Sequence, residues 1–417
     1  MSTPRATKSG YILAWLALAN LVAYAARNSL FATYEDLRVR FSLHDAKLGL
    51  LATAFLVPHA VATLVFGWAG DRFDRRRVIA VGMVFASIAG ALGALAHDTT
   101  TLVLSRGALG LGTASVVPVA NSILGQLYDG PKKASRMAIF NLGLLFGGAA
   151  GFFAGKQFGF PDVVIVLAIP GVVVALGLVM LSIPEHPGLP DAGNSLSQNL
   201  GGFWESAKIL LRIPTLRWLM VGTTAMAFAA GGYNAWLIDF LERDKNMSKD
   251  AATNVLLVAA IGAVLGVVAG GQIGDYLRTK VQTGRLWTIA LGMTLALPFI
   301  AICLEIEPGP MLYAAGVANL FFMFWYHAPI AVSVDDVAPA TQAVAAQGLV
   351  IFTMHLFGTA PSSWILGIIS DHSSLYTAMW VPTAFIVVAI LAIIAATRTY
   401  GRDVRSARGG GGSRASL

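Results

Sequence analysis

The sequence predicts an all-α membrane protein of twelve transmembrane helices, in two six-helix halves related by a pseudo-two-fold axis. Three observations predict it. Apolar residues make up 56% of the 417-residue chain and charged residues only 12%, against about 25% charge in a soluble domain. Apolar runs recur along the whole length, each of the roughly 18 or more residues that span a bilayer. A G-x-x-G-D spacing follows the second run of each half, at Gly67-Gly70-Asp71 and Gly271-Gly274-Asp275. Two similar halves are a known transporter design.

The runs lie at 10–32, 47–70, 77–97, 100–124, 136–157, 161–182, 217–240, 251–275, 285–304, 310–334, 342–366 and 377–396. The first follows a short basic tail with Arg5 and Lys8. It exceeds the 7–15 or so residues of a signal-peptide core, so it is expected to stay in the mature protein. Connections are short except for 183–216, which carries IPEHPGLPDAGNSLSQNLGG. The expected organisation is therefore a first half at 1–182, a linker at 183–216, a second half at 217–400 and a tail at 401–417. The closing GGGGSRASL reads as an appended linker.

Basic residues orient the spans, because inside loops hold the excess of Lys and Arg. With both termini cytoplasmic, 20 of the 29 basic residues fall inside and 7 outside, while Arg27 and Arg106 lie within spans. The same asymmetry accounts for most of the +7 net charge, so no nucleic-acid partner is expected. The single Cys303 excludes an internal disulfide.

Every one of the 22 acidic residues falls in a loop, a tail or a span end. The polar groups left in the interior are Arg27, Arg106, His59, His327 and His355, with Asn20, Tyr24, Asn28, Thr113, Asn121, Tyr233, Asn234, Tyr326 and Thr359 around them. A charge at such depth costs at least ~2.5 kcal/mol. Without a carboxylate, a buried cation is left with carbonyls, water or a bound anion. Arg27 and Arg106 each lie about five residues from the middle of their spans, roughly 8 Å from the midplane on the outer side. Thr113 and Asn121 share the helical face of Arg106. Two guanidiniums at one height suit a carboxylate, phosphate or sulfate. The expected substrate-binding set is Arg27, Arg106, Thr113, Tyr24, Asn20, Asn121, His355 and Tyr326. Two alternatives stay open: Arg106 as a packing residue bonded to carbonyls, and Arg27 snorkelling to the outer interface.

His59 and His355 are the candidates for proton handling, since histidine alone among the interior groups titrates near neutrality when unperturbed; a histidine held by a neighbouring hydroxyl is the alternative. Phe321, Phe322, Phe324, Trp325 and Tyr326 either line an apolar cavity that a lipid tail would fit, face the bilayer or pack against neighbours. Gly143, Gly147, Gly151 and Gly155 make a small-residue stripe that permits close helix crossing, read here as packing between halves. The repeated loops place Asp71, Arg72, Arg75, Arg76 and Asp275 as a conformational latch on the cytoplasmic side. An enzyme is not expected: the chain has no H-E-x-x-H, no G-x-S-x-G and no cysteine pair. No cofactor and no metal are expected.

GWAGDRFDRR after the second span resembles the signature loop of the major facilitator superfamily, with Asp74 where Gly is usual. Within it, three stretches resemble the Spinster-type lipid transporters: NLVAYAAR at Asn20–Arg27, RGALGLGTAS from Arg106, and HLFGTAPSSWILGIISD from His355. The resemblance covers nearly the whole chain and implies the major facilitator fold, alternating access, and a lysophospholipid or sphingolipid-like anion as substrate. Organic-anion symporters share the first two stretches, so a transporter of small organic anions or drugs, proton-linked through a histidine, is the alternative. The family's acids are replaced by Ala26, Thr113 and Thr359, so proton coupling is expected to be weak or absent. The expected setting is a monomer in a cell membrane, the inner membrane of a bacterium.

Overall fold

The computed structural model describes residues 4–128, 131–181, 196–339 and 342–409. The side chains of Asp71 and Arg72, two of the expected latch residues, lie outside the described set, as does the linker stretch 182–195. The described residues form helices and connections, with no strand among them. The chain divides into two compact units, Met1–Leu200 and Gly201–Leu417, a boundary that falls inside the expected linker.

The first unit holds α1 (Pro4–Asn28), α2 (Tyr34–Phe41), α3 (Asp45–Arg72), α4 (Arg75–Leu92), α5 (Thr99–Thr113), α6 (Val116–Leu127), α7 (Pro131–Phe158) and α8 (Asp162–Met180). Helix α9 (Leu196–Leu210) straddles the boundary. The second unit holds α10 (Pro214–Arg243), α11 (Lys249–Lys280), α12 (Gly284–Glu305), α13 (Pro310–Met323), α14 (His327–Val337), α15 (Ala343–Thr353), α16 (Ala360–His372) and α17 (Leu375–Gly409). Eleven helical stretches among the described residues are long and apolar enough to cross a membrane. The expected span 217–240 lies on the 30-residue α10, whose apolar character is diluted by Thr223, Thr224, Tyr233 and Asn234.

Helix starts follow the local chemistry. Asp74 and Asp98 accept backbone N–H bonds at the starts of α4 and α5, from Arg76 (3.0 Å) and Thr101 (2.7 Å). Such caps satisfy donors that the helix leaves open. Pro214 opens α10, and the next residue, Thr215, donates its N–H (2.9 Å) and its hydroxyl (2.7 Å) to Asp403 of α17. Residues 401–409, expected to be tail, thus continue α17, with Asp403 buried on α10.

Three expected spans are interrupted within their length rather than at an end. The fourth breaks at Ala114–Ser115 between α5 and α6. The tenth passes through a 3-10 turn at Phe324–Tyr326. The eleventh contains a π-helical turn at Met354–Thr359.

Glycines set the closest crossings. At Gly110 a side chain would collide with the backbone of Phe55 in α3, and at Gly151 with the backbone of Ala25 in α1. The stripe on α7 therefore packs against α1 of its own unit rather than between halves. The core of the first unit gathers Leu16, Ile79, Val116, Ile123, Phe140 and Leu178. In the second, Phe228 of α10 stacks on Phe385 of α17 with centroids 3.8 Å apart.

Candidate functional site

Helix α1 ends at Asn28 and passes through Ser29 and Leu30 into a 3-10 turn at Phe31–Thr33. The last carbonyls of a helix lack partners from their own ladder and carry its negative dipole end. Arg106, 3% exposed on α5, takes up two of them: its Nη1 donates to the Ala26 carbonyl at 3.3 Å and its Nη2 to the Arg27 carbonyl at 3.1 Å. Its Nε is buried with no hydrogen-bond partner. The Arg106 guanidinium thus reaches the backbone of Arg27 itself. The expected bidentate pair is altered, since both Nη atoms of Arg106 already donate to the end of α1.

Arg27 is half-buried and has no ion pair or hydrogen bond from its guanidinium among the described residues. Its Cζ lies 5.6 Å from the Tyr24 ring centroid and 5.9 Å from that of Phe55. The Cζ of Arg106 stands 5.3 Å from the same Phe55 centroid. Phe55, 2% exposed on α3, is thus a shared aromatic platform for both cations. Backbone carbonyls and ring faces stand where a carboxylate would be expected.

His59, one helical turn beyond Phe55, stacks on it at 5.4 Å and 18°. Its Nδ1 lies 3.2 Å from the Gly110 carbonyl and 3.2 Å from the Thr113 hydroxyl. That hydroxyl donates to the Leu109 carbonyl at 3.0 Å. A carbonyl only accepts, so Nδ1 carries the hydrogen and Nε2 keeps its lone pair.

Four residues of the expected set are not among those that meet around Phe55. Asn20 donates to the Phe140 carbonyl at 3.0 Å and is 1% exposed, so it ties α1 to α7. Asn121 follows the break at Ala114–Ser115, which resets the helical phase that placed it with Arg106; it has no hydrogen bond or ring contact with the cluster. His355 lies in the π-turn of the second unit, where the Ala360 N–H donates to its carbonyl. Tyr326 stacks on His327 at 4.6 Å, and His327 on Phe324 at 5.3 Å, also in the second unit. Phe321, Phe322 and Trp325 pack with Phe299 as an edge-and-face cluster. Among the described residues no group of three or more acids, histidines and cysteines is placed to hold a metal.

The loop residues have partners within their own units. Arg76 grips Asp74 with Nε (3.0 Å) and Nη2 (2.7 Å) and reaches the Leu181 carbonyl. This hydrogen bond holds the Asp74 carboxyl below the usual aspartate range. Arg75 is buried against Ser122 and Gln126 of α6. Asp275 accepts from Arg285 at 2.8 Å. Arg285 also reaches Asp336 at 3.2 Å, and Asp336 accepts the Tyr400 hydroxyl at 2.6 Å. Phe55, Asp336 and Tyr400 were not singled out from the sequence. Only Phe55 carried a signal, being four residues before His59 on one helix face.

Residues 16–363 match the Major Facilitator Superfamily. The chain belongs to that superfamily. It is a multi-pass membrane transporter of this class rather than an enzyme. Among curated relatives it is similar to protein spinster homolog 3 of Danio rerio, 29% identical over 404 residues, covering 90% of this chain and 80% of the relative. It is similar to protein spinster homolog 1 of Homo sapiens, 26% identical, covering 87% and 73%. A sphingosine-1-phosphate transporter of Danio rerio is 26% identical, covering 85% and 75%. The fold matches that of a bacterial homolog to the human lysosomal transporter Spinster, inward-facing and unoccupied, with a TM-score of 0.83 at 20% identity, covering 97% and 99%. The nucleoside transporter NupG matches with a TM-score of 0.76 at 13% identity, covering 92% and 98%.

Proposed function

We propose that this superfamily member moves an amphipathic anion, of the lysophospholipid or sphingolipid-like class, across the membrane by alternating access, and that Arg27 binds its negative group. The carrying observation is the Arg27 guanidinium, half-buried between Tyr24 and Phe55 with no acid or carbonyl against it. A desolvated cation without a counterion is stabilised by an anionic ligand. Arg106, committed to the end of α1, is the positioning residue that holds Arg27 in place. The spinster and sphingosine-1-phosphate relatives support a lipid substrate.

The positions at which the Spinster-type pattern carries acids hold Ala26, Thr113 and Thr359. Transport therefore follows the substrate gradient or exchange, with little or no proton coupling. The protein acts as a monomer in the bacterial inner membrane with both termini cytoplasmic. Arg75, Arg76 and Asp275 stiffen the cytoplasmic loops within their own halves as those halves move.

Uptake into proteoliposomes tests the reading. Lysophospholipids should enter in preference to short carboxylates, at a rate indifferent to an imposed pH gradient. Strong acceleration by the gradient contradicts the uncoupled mechanism and returns His59 and His355 to a proton-handling role. Preference for short carboxylates or drugs contradicts the lipid assignment.

A further inference from the structure

The cluster around Phe55 holds an acceptor as well as cations. Nδ1 of His59 donates towards Gly110, and the Thr113 hydroxyl beside it donates to Leu109. That arrangement fixes the tautomer and leaves Nε2 as a lone-pair site. Nε2 has no hydrogen-bond partner among the described residues, and it is not among the buried unpartnered atoms, so it stands open on a half-buried ring. His59 is fixed in orientation by its stack on Phe55, the ring that also carries both guanidiniums. Arg27 is close enough to act on it electrostatically. Arginine supplies donors only, so an open acceptor beside it is a different kind of chemical question put to a ligand.

We propose that His59 is a specificity-determining residue: Nε2 accepts a hydrogen bond from an O–H or N–H that the ligand carries next to the anionic group held by Arg27. The substrate class is then an amphipathic anion with a neighbouring hydroxyl or ammonium, rather than a simple fatty acid or alkyl sulfate. This rests on the anion-site reading of Arg27. The discrimination follows from unequal losses. A ligand lacking the donor leaves Nε2 desolvated and unpaired, whereas a ligand bearing it satisfies both partners.

Two probes of equal chain length and charge isolate the effect: 2-hydroxydodecanoate and dodecanoate, titrated against the purified full-length protein by calorimetry. The wild type should bind the hydroxy acid about five- to tenfold more tightly, the size of one net hydrogen bond. His59→Leu should bring the ratio of the two affinities to about one. His59→Gln, whose amide oxygen is an acceptor, should restore part of the preference, which separates recognition from a packing defect. Arg27→Ala should weaken both probes by a similar factor. A wild-type ratio near one, or a preference that persists in His59→Leu, overturns the role of His59 while leaving the anion site intact. Unchanged binding of both probes in Arg27→Ala overturns the anion-site reading and this proposal with it.

Discussion

Nη2 of Arg106 donates to the backbone carbonyl of Arg27 at 3.1 Å, so one buried arginine caps the helix on which the other stands. The arrangement separates two roles that a shared depth alone would merge. Arg106 has its charge placed at the negative end of α1, where carbonyls and dipole stabilise it. Arg27, in the last turn of the same helix, has ring faces about it and no acceptor.

This division predicts different signatures for the two arginines. Arg106→Ala removes the donors to the Ala26 and Arg27 carbonyls, of which Ala26 keeps the Ser29 hydroxyl at 3.2 Å, and should cost about 1–3 kcal/mol of stability for a carbonyl left buried without a partner. Arg106→Lys keeps the charge at the helix end but lacks the planar fork that spans two carbonyls, and should fall in between. Thermal unfolding in detergent without ligand checks this. An unchanged melting temperature in Arg106→Ala would show that the carbonyl bonds carry no stability.

At the start of α4, Asp74→Ala should destabilise the first unit by roughly 0.5–2 kcal/mol, the usual range for a lost N-cap. Asp74→Asn should cost less, because asparagine caps nearly as well, and it is the ion pair with Arg76 that is lost. Because the Arg76 hydrogen bond depresses the Asp74 pKa in the folded protein, its contribution is present above the usual aspartate range and is lost as pH falls through the lowered value. Melting curves of wild type and Asp74→Asn measured from neutral pH downward should therefore converge at the acid end. Parallel curves would remove Asp74 from the account.

In the second unit, Tyr400→Phe should cost about 0.5–1.5 kcal/mol, since Asp336 keeps its bond to Arg285. Arg285→Gln should cost more, because it takes the cation from both Asp336 and Asp275. A double-mutant cycle on the two positions measures their coupling, which should be non-zero through the shared carboxylate. Strict additivity would contradict a connected network.

Much of this was legible in the residues, and the exceptions have physical causes. Counting along two spans places Arg27 and Arg106 at one height, because α-helical rise converts residue number into depth. What Arg106 touches there depends on where α1 stops. The stretch ARNSLFA contains no glycine or proline to announce that end, and the chain simply tightens into a 3-10 turn. Asn121 misled for a related reason: helical phase carries a face only through an unbroken helix, and this one restarts after Ser115. Asn20 has an inward face, as expected, yet that face meets α7 at the Phe140 carbonyl. The contacts of Arg285 and Tyr400 with Asp336 join residues 51 and 64 positions apart, a separation no local pattern encodes.

The proposed orientation has its own check. With Cys303 replaced and a cysteine introduced at position 190, a membrane-impermeant thiol reagent should label the protein in inverted vesicles and leave it unlabelled in intact cells. Labelling from outside intact cells would reverse the assignment of the linker to the cytoplasm.

The central claim is that Arg27 holds the anion. Equilibrium binding of a lysophospholipid to purified wild type, Arg27→Ala, Arg27→Lys and Arg106→Lys tests it most directly. Arg27→Ala should lose roughly 2–5 kcal/mol of binding free energy, as truncation of a buried charge pair does. Arg27→Lys should recover part of that loss. Arg106→Lys should lose less binding than Arg27→Ala, because it loosens the support of Arg27 without removing its charge. Wild-type affinity in Arg27→Ala, in a protein that still melts cooperatively, would contradict the account.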